Sequence, residues 1–263
     1  MPLASGSLRS DSAAPARNGV SLRSAAVLLV LALLGVVSLL TSDLDLGILA
    51  DQVEVAPERL RLLVLIQPAI LSLLAVVVGW RTSRRTGLGL PILEGGLARV
   101  TSRGMAAAGA VALVGGATLL LYGWLTSSVF VLEGAEAISL SLATRLLYGG
   151  ITEEVLLRWG MMGLFAWLLL RLARRPAGRT RDLILVANVA AAVVFALGHF
   201  PAFALVPGAE PVHYLLSFAA NTGLGVLFGW LFARHGLEYA ILAHAGTHLV
   251  AVLAAAAIAL PGT

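Results

Sequence analysis

The chain has 263 residues, of which 59% are apolar and 12% charged, and its mean hydropathy is +0.94. A soluble domain carries about 25% charged residues, so a water-soluble globule and a disordered chain are both excluded. The absence of cysteine rules out disulfides, thiolate metal sites and Cys nucleophiles. The net charge of +4 does not signal nucleic acid, because all 18 basic residues are arginines and most flank apolar runs.

Residues 1–24 are polar, rich in Ser, Ala and Arg, and read as a disordered tail. No A-x-A cleavage site follows the first apolar run, so that run is expected to be a retained anchor rather than a cleaved signal peptide. A helix needs roughly 20 apolar residues to cross a bilayer. By that measure the spans are 25–40, 60–80, 105–132, 137–172, 183–199, 212–233 and 237–260. The predicted fold is all-α, a polytopic transmembrane helix bundle of seven spans, or eight if 137–150 forms its own helix. Three regions follow: the tail 1–24, helices without motifs over 25–136, and a motif-bearing helical core over 137–260. No long repeat and no soluble domain is evident.

Charge alternates between the loops. Arg9, Arg17 and Arg23 precede the first span, and the next loop is acidic with Asp43, Asp45, Asp51, Glu54 and Glu58, ending in Arg59 and Arg61. Arg81, Arg84, Arg85, Arg99 and Arg103 follow, then Glu133 and Glu136. Arg171, Arg174, Arg175, Arg179 and Arg181 come next, then Glu210 alone, then Arg234. Arginine-rich loops face the cytoplasm, so the alternation predicts a plasma-membrane protein with a cytoplasmic N-terminus. The all-Arg, Ala-rich composition suggests a GC-rich bacterial genome.

Charges inside spans cost several kcal/mol unless they are paired or functional. Glu153, Glu154 and Arg158 lie in the fourth span, with Arg145 nearer its start; His199 ends the fifth; His244 and His248 lie in the seventh. Glu154 and Arg158 are i,i+4 and share a helical face, whereas Glu153 points about 100° away. That leaves one acid uncompensated by the local Arg, beyond what a purely structural salt bridge needs. His244 and His248 stand one turn apart, with Gly246 between them allowing a neighbouring helix close. His213 and His235 sit at span ends, the usual place for an interfacial role, and Asn221 and Gly225-x-x-x-Gly229 read as packing features. A carboxylate beside an imidazole can deprotonate a water, and two further imidazoles can donate to an oxyanion.

Glu153-Glu154-x-x-x-Arg158, Phe195-x-x-x-His199 and His244-x-x-x-His248, in that order, resemble the three motifs of the CPBP superfamily of CAAX prenyl endopeptidases and bacteriocin-processing membrane proteins. So does the Gly-rich span ending Phe228-Gly-Trp-Leu-Phe-Ala-Arg-His-Gly236. The resemblance covers roughly 137–252 and would make 137–260 a CPBP-like catalytic core. It implies an intramembrane endopeptidase that cleaves a membrane-associated peptide or protein, lipidated or not, without a cofactor. Glu153 would be the general base, His199 its partner and His244 an oxyanion donor. Glu154 and Arg158 would support the site or position the substrate. The family more often has Asn or Asp where this chain has His248, and a neutral imidazole still donates one hydrogen bond.

Two other classes stay open. A zinc intramembrane metalloprotease would use His199, His244 and His248 as ligands and Glu153 as base, although Ala245 follows His244 where the His-Glu-x-x-His pattern needs Glu. A non-enzymatic membrane protein, a relay, transporter or peptide-immunity protein, would use the same polar groups differently. Against transport, the sequence shows no paired halves.

Overall fold

The computed structural model describes residues 19–44, 56–133, 138–174, 179–203, 206 and 208–259. Residues 1–18 of the expected tail, Asp45, Asp51, Glu54, Glu136 and Arg175 lie outside the described residues; residues 19–24, expected to be disordered, are ordered, with Ser21 capping α1 and Leu22, Arg23 and Ser24 in its first turn. Among the described residues, seven helices are long and apolar enough to cross a membrane: α1 Leu22–Thr41, α2 Glu58–Thr86, α3 Ser102–Val129, α4 Leu142–Leu172, α5 Thr180–Phe203, α6 Pro211–His235 and α7 Leu237–Ala259. Among the described residues the fold is all-α apart from one antiparallel pair, β1 Asp43–Leu44 with β2 Ile138–Ser139, which ties the end of α1 to the start of α4. The fourth apolar segment is a single span, so the count is seven rather than eight.

The molecule is a multi-pass integral membrane protein, and its surface shows why. Leu73, Leu74, Leu113, Val114, Leu185, Val186, Leu253 and Ile258 are exposed on the outside of the bundle. In water such a surface would aggregate; in hydrocarbon it is the correct solvent, since a helix satisfies its own backbone.

The helix caps show how the chain enters and leaves the bilayer. Ser21, Thr101 and Ser141 each accept a backbone N–H in the first turn of α1, α3 and α4. At the end of α2, Gly87 takes φ 75° and closes the helix, as a left-handed cap requires. Arg23, Arg84, Arg85, Arg99, Arg103, Arg171, Arg174, Arg181 and Arg234 flank helix ends that share one face of the bundle. The opposite face holds Asp43, Glu58, Glu133 and Glu210, with Arg59, Arg61 and Arg145 as its described arginines.

α4 is the central helix. It packs on α1 through its first half and on α2 through its second, and it also touches α5, α6 and α7. Trp159 is fully buried against α2, where its indole N–H donates to Val76 O at 3.3 Å. Gly79 leaves the room: a Cβ there would lie 2.3 Å from Trp159 Nε1. Gly150 does the same against α7, where a Cβ would come within 2.7 Å of Ala245 Cβ and 2.9 Å of its Cα. Through this stretch α4 is wound loosely, with i→i+5 pairing over Arg145–Thr152 and Val155–Met162, on either side of Glu153-Glu154. Such bulges recur at functional sites.

Candidate active site

Glu153, His199, His244 and His248 come from three helices and line one cavity of about 120 Å³. Tyr148, Asn221, Phe195 and Phe228 share the wall, which extends to Leu140 and Arg145 at the Arg-poor end of α4. These four of the side chains singled out in the sequence therefore converge on one cavity.

Glu154 and Arg158 lie beside the cavity, fully buried. Arg158 Nη1 stands 3.3 Å from Glu154 Oε1, and its Nη2 donates to Gly225 O at 3.1 Å. The guanidinium also lies over two aromatic faces, 4.9 Å from the Phe195 centroid and 5.5 Å from that of Phe228. These contacts hold a charge that would otherwise be costly at this depth.

His244 joins the two acids. Its Nδ1 is 2.9 Å from Glu154 Oε1, and its Nε2 is 3.9 Å from Glu153 Oε2. With Glu154 ionised, Nδ1 carries the proton and donates, which fixes the ring and turns Nε2 toward Glu153. The ring is stacked between Phe228, at 4.4 Å and 17°, and His248, at 5.2 Å and 22°. This cross-helix bond from Glu154 to His244 is not deducible from spacing within either motif.

His199 sits at a break in α5. Pro201 has no N–H to donate back to Leu197, so the helix stops at Gly198 and resumes at Phe200. The Phe195 carbonyl, left without its ladder partner, accepts from His199 Nδ1 at 2.9 Å. A carbonyl only accepts, so the neutral ring carries its proton on Nδ1 and offers the Nε2 lone pair. His248 packs over Gly149, where a Cβ would lie 2.8 Å from Nε2, and its Nδ1 is buried without a partner.

Sequence reasoning missed several wall residues. Tyr148 shares the cavity wall with Glu153; five positions apart they would diverge by about 140° on a regular α-helix, and the i→i+5 winding of α4 brings them to one side. Asn221, read as a packing feature, faces the cavity while its Nδ2 donates to Ser217 O at 2.9 Å. His213, read as interfacial, is buried: its Nδ1 accepts from Glu210 N at 2.9 Å and its Nε2 donates to Phe130 O at 2.8 Å. Among the described residues, no three His, Asp or Glu side chains are grouped to hold a metal ion.

The cavity and its acid–imidazole cluster place polar, titratable groups inside a bundle of membrane-spanning helices. Residues 135–250 match the model of a family described as Type II CAAX prenyl endopeptidase Rce1-like, consistent with the CPBP resemblance. The match contains all three motifs and leaves α1 to α3 outside it. It supports a CAAX-type intramembrane endopeptidase in general terms, a hydrolase acting on a membrane-associated protein. No curated protein and no solved structure matches the chain.

Proposed function

We propose that this protein hydrolyses a peptide bond of a membrane-associated substrate with a water activated by Glu153 and His199, without a metal. The observation that carries the reading is the meeting of Glu153, His199, His244 and His248 in one buried cavity. A water held between the Glu153 carboxylate and His199 Nε2 loses a proton to Glu153 as its oxygen attacks the carbonyl carbon. The C–O bond forms, the carbonyl π pair moves onto oxygen, and an oxyanion results. His244, tethered through Nδ1 to Glu154, takes a second proton from solvent onto Nε2 before the attack, keeps it through the turnover and donates it as a hydrogen bond to that oxyanion, and His248 supplies a second donor. Collapse of the intermediate expels the amine, which takes the proton from Glu153. Arg158 and Glu154 keep the cluster in register. The missing His-Glu-x-x-His pattern supports the metal-free course. The arginine distribution supports a cytoplasmic Arg-rich face, and the all-Arg, Ala-rich composition supports a bacterial source.

The test is a peptidase assay on purified full-length protein in proteoliposomes, with metal analysis of the same preparation. Glu153→Gln should lower kcat by about 10²- to 10⁴-fold, while chelators leave the wild type unchanged. Near wild-type turnover in that variant sinks the assignment. Stoichiometric zinc lost together with activity on chelation would replace it with the metalloprotease.

A further inference from the structure

A second hollow, far from the motifs, gathers charge that the reaction does not use. At the Arg-rich end, where α2 and α4 finish against each other, Arg85, Trp167, Leu170, Arg171 and Arg174 line a pocket of about 280 Å³, near the lower end of small-ligand sites. Three guanidinium groups stand in that wall and no carboxylate does. Among the described residues, none of the three enters an ion pair, since those belong to Arg158 and His244, and none donates a side-chain hydrogen bond, as Arg145 and Arg158 do. A helix C-terminus attracts cations. That accounts for arginines at the ends of α2 and α4, but not for their gathering around one pocket without an anion, because like charges repel. The Arg171 guanidinium lies 5.4 Å from the Trp167 ring centroid, held over the aromatic face with its N–H fork unengaged. Arg174 takes φ 48°, the left-handed conformation that a helix end ordinarily gives to Gly, and the chain carries a guanidinium there instead. Leu168 and Leu172, each one position further around α4 from a lining residue, are exposed, so apolar surface borders the arginines.

We propose that this hollow binds the phosphate of an anionic phospholipid headgroup. Guanidinium groups pair with phosphate oxygens through two parallel hydrogen bonds, and basic pockets between membrane helices take phosphate-bearing headgroups. Three positive charges oppose the ammonium of a zwitterionic headgroup, so the preference is for lipids of net negative charge. Tryptophan sits at headgroup level in membrane proteins, with its apolar ring toward the chains. A free phosphate offers the same oxygens, but Leu168 and Leu172 give acyl chains a surface beside the arginines that a soluble anion would leave bare. Eighteen positions separate Arg171 from Glu153, roughly 27 Å at the α-helical rise. The lipid therefore touches none of the reacting groups, and the proposal stands apart from the peptidase reading.

The full-length protein in a neutral detergent is titrated with phosphatidylglycerol or phosphatidylcholine, and retained lipid is counted by native mass spectrometry. Phosphatidylglycerol should bind about 10-fold more tightly than phosphatidylcholine, and Arg85→Gln, Arg171→Gln and Arg174→Gln should each weaken it about 5-fold. Arg103→Gln removes the same charge at the same end but outside the hollow, and should leave binding unchanged. Arg171→Lys should fall between, since it keeps the charge and loses the fork. Arg174→Gly suits the left-handed backbone, so its lipid-free thermal midpoint should hold while its lipid affinity drops, which separates binding from folding. A competition arm adds inorganic phosphate, or glycerophosphoglycerol, the headgroup without its chains. Retention of the lipid against a large excess of both upholds the lipid source, and displacement by either overturns it in favour of a soluble phosphate. Equal retention of the two lipids, or a loss from Arg103→Gln as large as from the lining arginines, overturns the site. No arm reads hydrolysis, so this proposal and the peptidase reading fail separately.

Discussion

The Arg-rich end of the bundle and the cavity in its interior both hold acids, and they treat them oppositely. At the Arg-rich end Glu238 accepts from Ile92 N and Leu93 N at 2.9 Å each, and Glu94 accepts from the Ser21 N–H and hydroxyl at 2.9 Å. These carboxylates cap short backbone turns and fasten loops to helices. In the cavity, Glu153 faces an imidazole at 3.9 Å, while Glu154 Oε2 and His248 Nδ1 are buried without partners. Size does not mark the site: a hollow of about 460 Å³ lies at the Arg-rich end and holds none of the motif residues. What separates the regions is the kind of partner, since Glu238 Oε2 is also buried without one. Acids bonded to backbone N–H groups act as scaffold, and an acid that faces imidazoles across a cavity is where a substrate or water has something to meet.

The sharpest way to break that comparison is to neutralise one acid in each region. Glu153→Gln should remove nearly all hydrolysis, as above, whereas Glu238→Gln keeps an acceptor oxygen and should leave turnover close to wild type. Equal losses from the two would erase the distinction. The next effect is on stability. Glu154→Ala strands Arg158 at 2% exposure and frees His244, and breaking a buried pair from one side costs about 3–5 kcal/mol. The readout is thermal unfolding in detergent. A melt within 2 °C of wild type would show that the Gly225 carbonyl and the two aromatic faces alone hold the guanidinium.

A smaller effect tests the packing that brings α4 and α7 together. Gly150→Ala would drive a methyl to within 2.9 Å of the Ala245 backbone, which cannot swing aside as a side chain could. The expected cost is about 1–3 kcal/mol, with loss of activity as His244 moves off the two acids. Gly109→Ala, where no atom lies within 4 Å, is the control. It should hold or gain stability by up to about 1 kcal/mol, since Ala is the better helix former.

The spans were legible because hydrocarbon leaves few choices: a run of apolar residues with no charge has to be a helix. Their ends were less so. α5 runs on to Phe203 beyond His199, because a proline break inside a membrane helix does not end the span. Within the site, residues sharing a motif were legible from spacing, as with Glu154 and Arg158. Contacts across helices were not. The expectation that Glu153 and Glu154 diverge by about 100° assumes regular α geometry. The two acids meet different nitrogens of one His244 ring, a shared partner that no spacing within the first motif reveals. Asn221 and Tyr148 were equally hidden, since a lone polar residue in a span reads the same whether it packs or lines a cavity.

The smallest effect belongs to the scaffold side. Burial acts to raise the Glu94 carboxyl, but hydrogen bonds from Ser24 and Ser21 outweigh it and hold the group below its ordinary value of 4.5. A carboxylate whose pKa is lowered by folding contributes stability that is full above the unfolded value and is lost as pH falls through the folded one. Acidification below about pH 4.5 should therefore loosen the start of α1 from the Pro91–Gly95 turn. Glu94 is solvent-exposed, so the contribution is small and salt-screened. Glu94→Gln should shift the thermal midpoint by about 2 °C or less at neutral pH and flatten its decline between pH 5 and 3. If the variant loses stability in acid as steeply as the wild type, Glu94 is not a proton-linked fastener, and the decline has to come from another carboxylate.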